Sequence, residues 1–125
     1  MNINEYILNN LNKINVHEII FHRDGPSVII RADLAKMPDF VDETINDTYN
    51  KLQFEIQFLG IKNLNIINWN TENILNIKQE KLEGVIKVKI IGNKDSDTVA
   101  SFECDHIMIV KTSYYLDKLE LKDTI

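Results

Sequence analysis

Hydrophobic positions in this chain first recur at helical spacing and then alternate with polar positions. The helical spacing covers five apolar residues near the start, Ile3, Ile7, Leu8, Leu11 and Ile14. It predicts a short amphipathic helix over roughly residues 3–13, with Asn2 or Asn4 as the N-cap. From Val16 onward the period is two, which is typical of β-strands that bury one face.

Eight segments with strand character follow the helix. They are residues 16–23, 27–35, 51–58, 64–69, 74–81, 85–91, 99–103 and 107–112. The clearest is 51–58, where Leu52, Phe54, Ile56 and Phe58 alternate with polar residues. In 64–69 the pattern slips at Ile66-Ile67, which is consistent with a β-bulge.

The connections between these segments are short and contain turn residues. Asp24-Gly25-Pro26 and Glu83-Gly84 each separate two strands, because glycine adopts turn conformations closed to other residues. Residues 36–50 form a longer polar connection with room for one helical turn, and the tail from Tyr114 onward is ambiguous. The prediction is a single domain over residues 1–125 of the α+β class, predominantly antiparallel β. Its core is an about eight-stranded meandering sheet (open, curved or sandwich-like) with an N-terminal helix.

The net charge limits the classes of binding partner that we expect, and the cysteine content indicates the cellular compartment. The formal net charge of −5 argues against nucleic acid or an anionic membrane as partner, because both select basic surfaces. A single cysteine, Cys104, favours a reducing compartment. Residues 1–5 do not resemble a signal peptide, and no apolar stretch reaches the roughly 20 residues of a membrane span. We therefore expect a cytoplasmic protein.

No arrangement of residues in the sequence favours catalysis or metal binding. Cys104 and His106 are two residues apart on a strand, too far for a nucleophile and its base, and a zinc site needs further ligands. His17 and His22 are five apart on one predicted strand and so face opposite sides. No glycine-rich phosphate loop is present. We expect no catalytic residue, no metal and no cofactor, with Cys104 as a small buried residue and His106 at the surface.

The polar connection is the first candidate for partner binding. It holds four carboxylates within nine residues, Asp39, Asp42, Glu43 and Asp47. Such a segment can dock on a basic patch of a partner, although an ordinary solvated loop has the same composition. Trp69 is a further candidate anchor, because tryptophan is enriched at binding hot spots.

Several stretches together resemble the immunity protein 50 family of bacterial polymorphic toxin systems. The likeness covers about residues 16–115 and includes the segments 17–27, 52–61, Asn68-Trp69-Asn70, Phe102-Glu103-Cys104 and Tyr114. Between the second and third strands the family pattern has more prolines and a tryptophan, where this chain has only Pro38 and Phe40. The resemblance supplies no contact residues.

The resemblance implies a small, non-enzymatic cytoplasmic protein that binds the C-terminal domain of a cognate bacterial toxin and neutralises it by occlusion. The residues alone leave other functions open. One alternative is a small-ligand-binding β module with an apolar cavity near Phe54, Phe58 and Trp69. Others are an enzyme with a dispersed active site and a structural or oligomeric role. The toxin, the contact face and the oligomeric state are not determined by the sequence.

Overall fold

The computed structural model describes residues 2–94 and 97–118, which form two short helices and eight strands. The helices are α1 (Ile3–Leu8) and α2 (Glu43–Thr48). The strands are β1 (Ile14–His22), β2 (Ser27–Asp33), β3 (Lys51–Leu59), β4 (Lys62–Ile66), β5 (Ile74–Leu82), β6 (Val85–Gly92), β7 (Thr98–Cys104) and β8 (His106–Tyr115). The predicted fold class, mostly antiparallel β with an N-terminal helix, is confirmed.

The strands form one open sheet in the order β4-β7-β6-β5-β1-β2-β3-β8. Every neighbouring pair is antiparallel, and four of the seven pairs join strands consecutive in the chain, as a meander predicts. The weakest junction is β1 with β5, which pair only at Ile14↔Leu75 and Asn15↔Ile74. The two strands overlap only at their first residues, and beyond them β1 runs alongside the segment that precedes β5, where the Val16 N–H donates to the Asn73 carbonyl at 2.8 Å.

The two ends of the sheet meet at a corner formed by Gly60 and Asp105. Only Gly60 and Ile61 separate β3 from β4, and only Asp105 separates β7 from β8. The β3–β8 ladder therefore continues around the corner as the β4–β7 ladder. Gly60 has a φ of +71°, and the Asp105 N–H donates to the Leu59 carbonyl at 2.8 Å. The N–H groups of Gly60 and Ile61 both donate to the Pro26 carbonyl at 3.1 Å.

The core lies inside the curl of the sheet. Phe58 on β3 and Phe102 on β7 belong to strands that are not neighbours, yet their ring centroids are 5.1 Å apart in an edge-to-face contact. Strand β3 alternates strictly between buried and half-buried residues, as its sequence predicts. Ile7 of α1 is fully buried against the same core.

Helix α1 ends at Leu8 and is therefore shorter than the predicted 3–13. Asn2 is the N-cap, with its side chain accepting from the Glu5 N–H at 2.8 Å. Asparagine is a weak helix former, and the Asn10 side chain donates to the Tyr6 carbonyl at 2.7 Å just past the last turn. Leu11 is still buried, but its carbonyl accepts from the Ile77 N–H of β5.

Strand β4 ends at Ile66, so the strand predicted over residues 64–69 is wrong beyond that residue. The ladder irregularity lies between Lys62 and Asn65, not at Ile66-Ile67. Asn63 takes a φ of 54° there, a left-handed conformation that asparagine tolerates better than most residues. After Ile66 the chain leaves the sheet, and Trp69 lies in an irregular segment.

The remaining predicted strands are confirmed with small shifts at their ends. The helical turn allowed in residues 36–50 is α2, and Tyr114 and Tyr115 belong to β8. Strand β1 carries a bulge between Val16 and Glu18, at His17, so the strict alternation assumed for its histidines does not hold. Residues 95 and 96, between β6 and β7, and residues 119–125 of the tail lie outside the described residues.

We expect Gly60→Ala to destabilise the protein more than Gly84→Ala. Gly84 has a φ of +77° with open space where a Cβ would be, so alanine there costs only backbone strain, about 1 kcal/mol. A Cβ on Gly60 would lie 2.2 Å from Asp105 Oδ2 and 2.8 Å from its Cγ. Urea unfolding should give a loss of about 2–3 kcal/mol for Gly60→Ala.

A double-mutant cycle with Asp105→Ala isolates the steric part of this cost. Asp105→Ala removes the two closest contacts, so Gly60→Ala should cost less in that background. Equal costs for the two glycine substitutions in the natural background would show that the corner does not depend on the close approach of Asp105.

Candidate protein-binding surface

A run of large apolar side chains is exposed at the β4 end of the sheet. The apolar run consists of Leu64, Ile66, Ile67 and Trp69, with exposed fractions of 39%, 50%, 57% and 58%. All five residues of β4 are exposed, and among the described strands β4 pairs with β7 alone. An end strand that presents apolar side chains is a common site of association with another chain.

Backbone hydrogen bonds hold the apolar run against β7. Ile66 pairs with Ala100, and the N–H groups of Ile67 and Asn68 both donate to the Val99 carbonyl, at 2.8 and 3.3 Å. The exposed side chains are thus attached to a strand of the core. A backbone that is already fixed in this way loses little conformational entropy when a partner covers it.

Trp69 lies beside a small cleft between β1 and the segment 69–75. Its indole contacts the Phe21 ring edge-to-face, with centroids 6.4 Å apart. The cleft has a volume of about 110 Å³, and its apolar lining includes Val16, Ile19 and Leu75. It lies where β1 faces the irregular segment before β5 instead of a paired strand.

Glu72 fixes the segment that follows Trp69. Its Oε1 accepts from the backbone N–H groups of Asn93 and Lys94 at 3.1 and 2.9 Å. Its own N–H donates to Asn70 Oδ1 at 2.8 Å, which closes a turn. The loop carrying Trp69 is therefore tied to the β6–β7 connection.

The four predicted acidic residues all lie at the surface. Asp39, Asp42, Glu43 and Asp47 are exposed, in and around α2. Asp42 is also the N-cap of α2, where its Oδ1 accepts from the Thr44 N–H at 2.7 Å. The other three carboxylates, Asp39, Glu43 and Asp47, do not cap the helix. Partner binding by this segment stays a prediction.

Aromatic contacts attach residues 36–50, here called the acidic connection, to the rest of the fold. Phe40 packs edge-to-face on Tyr6 of α1 with centroids 5.3 Å apart, and Tyr49 stacks on Tyr114 of β8 at 6.4 Å. The structure does not bring the acidic connection and Trp69 into one cluster, because the contacts of Trp69 run to β1 and to residues 70–75. The sequence candidates thus define two separate surfaces.

The cysteine and the histidine near the corner differ in environment. Cys104 is 1% exposed at the end of β7, as predicted for a small buried residue, whereas His106 is exposed. Burial, and to a smaller extent the negative charge of Asp105, raise the pKa of the Cys104 thiol to about 11. A thiol with this pKa is a poor nucleophile.

A buried carboxylate, Asp33, forms a cluster that sequence reasoning missed. It is 1% exposed, His17 Nε2 lies 2.9 Å from its Oδ2, and the Tyr115 hydroxyl donates to the same oxygen. Its Oδ1 has no hydrogen-bond partner among the described residues. The three residues are far apart in sequence, so no local pattern could have revealed the cluster.

The described residues show neither a cluster of metal ligands nor a membrane-spanning helix. Over residues 2–94 and 97–118, no group of three or more His, Cys, Asp and Glu side chains is placed to hold a metal ion. In the same part of the chain, no helix is long and apolar enough to cross a membrane.

The structure does not gather the three residues suggested for a ligand cavity. Phe54 and Phe58 are at most 1% exposed in the core, whereas Trp69 is more than half exposed. The cleft at Trp69 is well below the several hundred Å³ usual for small-molecule sites. Sequence reasoning identified Trp69 as a candidate anchor, but it placed Ile66 and Ile67 at a bulge within a strand and missed their exposure.

The fold and this surface define a small antiparallel β domain with an uncovered apolar edge. The sequence model of the immunity protein 50 family matches residues 6–115, and the chain belongs to that family. A search of curated proteins and a search of solved structures each found no match. The resemblance to immunity protein 50 is thus confirmed over most of the chain.

We expect Cys104 to resist thiol reagents in the folded protein. With a pKa of about 11 instead of 9.0, its thiolate fraction at pH 8 should be about a hundredfold lower. Labelling with iodoacetamide should therefore be slow in buffer and fast in urea. Because the native pKa is raised, the contribution of Cys104 to stability is complete below pH 9 and is lost as the pH rises towards 11.

Asp105→Asn serves as the control for the cause of this shift. It removes the charge and leaves the burial, so labelling should become only slightly faster. Labelling of the native protein at the unfolded rate would contradict the assignment of Cys104 to the core.

Proposed function

We propose that this protein binds the C-terminal domain of a cognate bacterial toxin and neutralises it by covering the surface that the toxin needs for its activity. The observation that carries the proposal is the family match over residues 6–115. On this proposal the protein acts stoichiometrically, without catalysis, in the cytoplasm of the cell that makes the toxin. A net charge of −5 suits a basic partner.

The apolar run is the best candidate for the centre of the interface. A stable interface buries on the order of 1,600 Å² in total, with apolar and aromatic residues at its centre. The apolar run supplies such a group on an end strand, next to the free edge of β4. We place the acidic connection in a second role, in which Asp39, Asp42, Glu43 and Asp47 speed the approach of a basic partner.

The direct test is a titration against the C-terminal domain of the large protein encoded immediately upstream. We expect one-to-one binding in the nanomolar range, measured by calorimetry, and loss of that domain's toxicity when the two proteins are expressed together. No binding at micromolar concentration to a folded toxin domain would contradict the proposal.

The apolar run is tested with the double variant Ile66→Ala/Ile67→Ala. Removing two exposed apolar side chains at the centre of an interface should weaken binding by about 10- to 100-fold. The loss should lie in the dissociation rate, measured by surface plasmon resonance. Stability should change little, since both residues are at least half exposed.

A matched control is available on the strand at the opposite end of the sheet. Met108 and Val110 on β8 are 44% and 45% exposed, so Met108→Ala/Val110→Ala removes a comparable apolar pair. We expect this variant to bind as the natural protein does. The reverse result, with loss only in the β8 variant, would move the interface to the other end of the sheet.

The acidic connection is tested by neutralising all four carboxylates, as Asp39→Asn, Asp42→Asn, Glu43→Gln and Asp47→Asn. Asparagine at position 42 keeps a good N-cap for α2. The association rate at low salt should fall about tenfold, and its dependence on ionic strength should weaken.

A control variant removes the same charge elsewhere. The substitutions Asp24→Asn, Glu80→Gln, Glu83→Gln and Asp97→Asn lie in exposed turns and strand ends outside the acidic connection. They should slow association clearly less. Equal slowing by both sets would show that total charge, and not the acidic connection, steers the partner.

A further inference from the structure

The outer face of one half of the sheet carries apolar side chains that the core does not use. This half consists of β1, β2, β3 and β8, which are adjacent in the sheet. Its inner side chains, such as Ile30 and Ile56, are fully buried. The outer side chains alternate with these, and four of them are apolar: Ile20, Ile29, Leu59 and Met108. None of the four belongs to the core cluster of the described residues or packs against it.

The two helices leave this face uncovered in the described part of the chain. The buried residue of α1, Ile7, is part of the core inside the curl, and α2 has no buried residue. One face of an antiparallel sheet is commonly solvated, but such a face is then mostly polar. Here Ile20 and Ile29 are directly opposite each other and only half-buried, and Met108 is 44% exposed. The face therefore has the character of an interaction surface.

The neighbouring row of side chains on this face is fully charged, with alternating signs. Across β1, β2, β3 and β8 the strand registers align four residues in one row: Glu18, Arg31, Glu55 and Lys111. In this order the charges are negative, positive, negative and positive. None of the four forms an ion pair among the described residues. The row has no net charge, yet its side chains are free to contact a partner.

An alternating row of four charges is complementary to itself when its order is reversed. A two-fold axis that runs along the strands, between two stacked copies and between β2 and β3, reverses the row in the second copy. Glu18 then faces Lys111 of the second copy. Arg31 faces Glu55 in the same way. Each contact occurs twice, and every one joins opposite charges, whereas a row with equal charges at its two ends would place like charges together.

This arrangement agrees with the way in which β-sheets pack. Two sheets stack about 10 Å apart with their strand directions within about 30° of each other, which an axis along the strands allows. In the row beside the charges, Ile20 faces Met108 of the second copy. Ile29 faces Gln57. Four adjacent strands present a face about 19 Å wide, so one partner sheet covers both rows.

We propose that the outer face of β1, β2, β3 and β8 binds the same face of a second copy of this chain, so that the protein is a two-fold symmetric dimer. The self-complementary order of the charges favours a second copy over an unrelated protein, because only an interface between identical faces requires it. The dimer does not depend on the proposed function. The apolar run lies at the β4 end of the other half, so the dimer leaves it exposed.

The first measurement is analytical ultracentrifugation of the purified protein alone. We expect a species with twice the mass of the 125-residue chain and a dissociation constant in the micromolar range. Raising the NaCl concentration from about 0.05 to 0.5 M should weaken the dimer at least threefold, because salt screens the charge pairs. A protein that is still monomeric at several hundred micromolar would overturn the proposal.

Charge reversal at the two ends of the row tests the pairing. Glu18→Lys places a lysine against Lys111 of the second copy, and Lys111→Glu places a glutamate against Glu18. Each variant alone should dimerise at least tenfold more weakly, because each substitution creates the like-charge contact twice. Both residues are exposed, so the fold should persist, which thermal unfolding checks.

Mixing the two variants restores the complementarity and separates a lost contact from a lost fold. In a mixed dimer the introduced lysine faces the introduced glutamate, and the natural Lys111 of one chain faces the natural Glu18 of the other. An equimolar mixture should therefore form a heterodimer within about threefold of the natural affinity. A mixture that associates no better than either variant alone would show that the proposed pairing is wrong.

A matched pair of controls lies on the other half of the sheet. Glu80 on β5 and Lys87 on β6 are also directly opposite each other and exposed. Glu80→Lys and Lys87→Glu should each change the affinity of the dimer less than twofold. Equal weakening by the control and the test substitutions would exclude the outer face of β1, β2, β3 and β8 as the interface.

Addition of the upstream-encoded toxin domain distinguishes this face from the toxin-binding surface. The complex should contain two copies of each protein, because the dimer face and the apolar run lie on different halves of the sheet. A complex with a single copy of each chain would assign the face to the toxin and overturn the proposal. If the toxin domain does not bind at all, the proposed function fails, and ultracentrifugation of the protein alone still decides on the dimer.

Discussion

The shape of this protein depends on the close approach of Gly60 and Asp105 at the corner of the sheet. Two long strands run side by side through this point, and both change direction there. Gly60 can do so because it has no Cβ, so the Asp105 side chain occupies the space over its Cα while the Asp105 N–H bonds to Leu59. The bend brings the inner faces of the two halves together, which is why Phe58 and Phe102 meet.

The corner also accounts for the position of the candidate surface. Because β4 follows the bend directly, it is placed at the end of the sheet, and nothing among the described residues pairs with its outer edge. Strands β4, β7, β6 and β5 form one half of the sheet, and at its other side β5 pairs with β1 over only two residue pairs. The apolar run and the cleft thus lie on either side of Trp69, where the sheet is least complete.

The sequence predicted most strands because their side chains obey a simple rule. In β3 every second residue faces the core, and the alternation of Leu52, Phe54, Ile56 and Phe58 is sufficient to identify it. Residues 64–69 violate the rule, since their apolar side chains are exposed and their ladder is irregular. Helix α1 was predicted too long because Leu11 continues the apolar spacing while the backbone already bonds to β5. Contacts between distant segments, such as His17 with Asp33, have no local signal at all.

The irregular start of β4 has a consequence for how the protein behaves without its partner. A straight, fully paired end strand invites the same strand of another molecule to add to it, which leads to aggregation. Here Lys62 places a charge at the beginning of the strand, and Asn63 twists the backbone out of the regular ladder. Edge-to-edge pairing of identical chains is therefore disfavoured at the first residues of β4. The apolar side chains a few residues later remain exposed and can contact a partner of different shape.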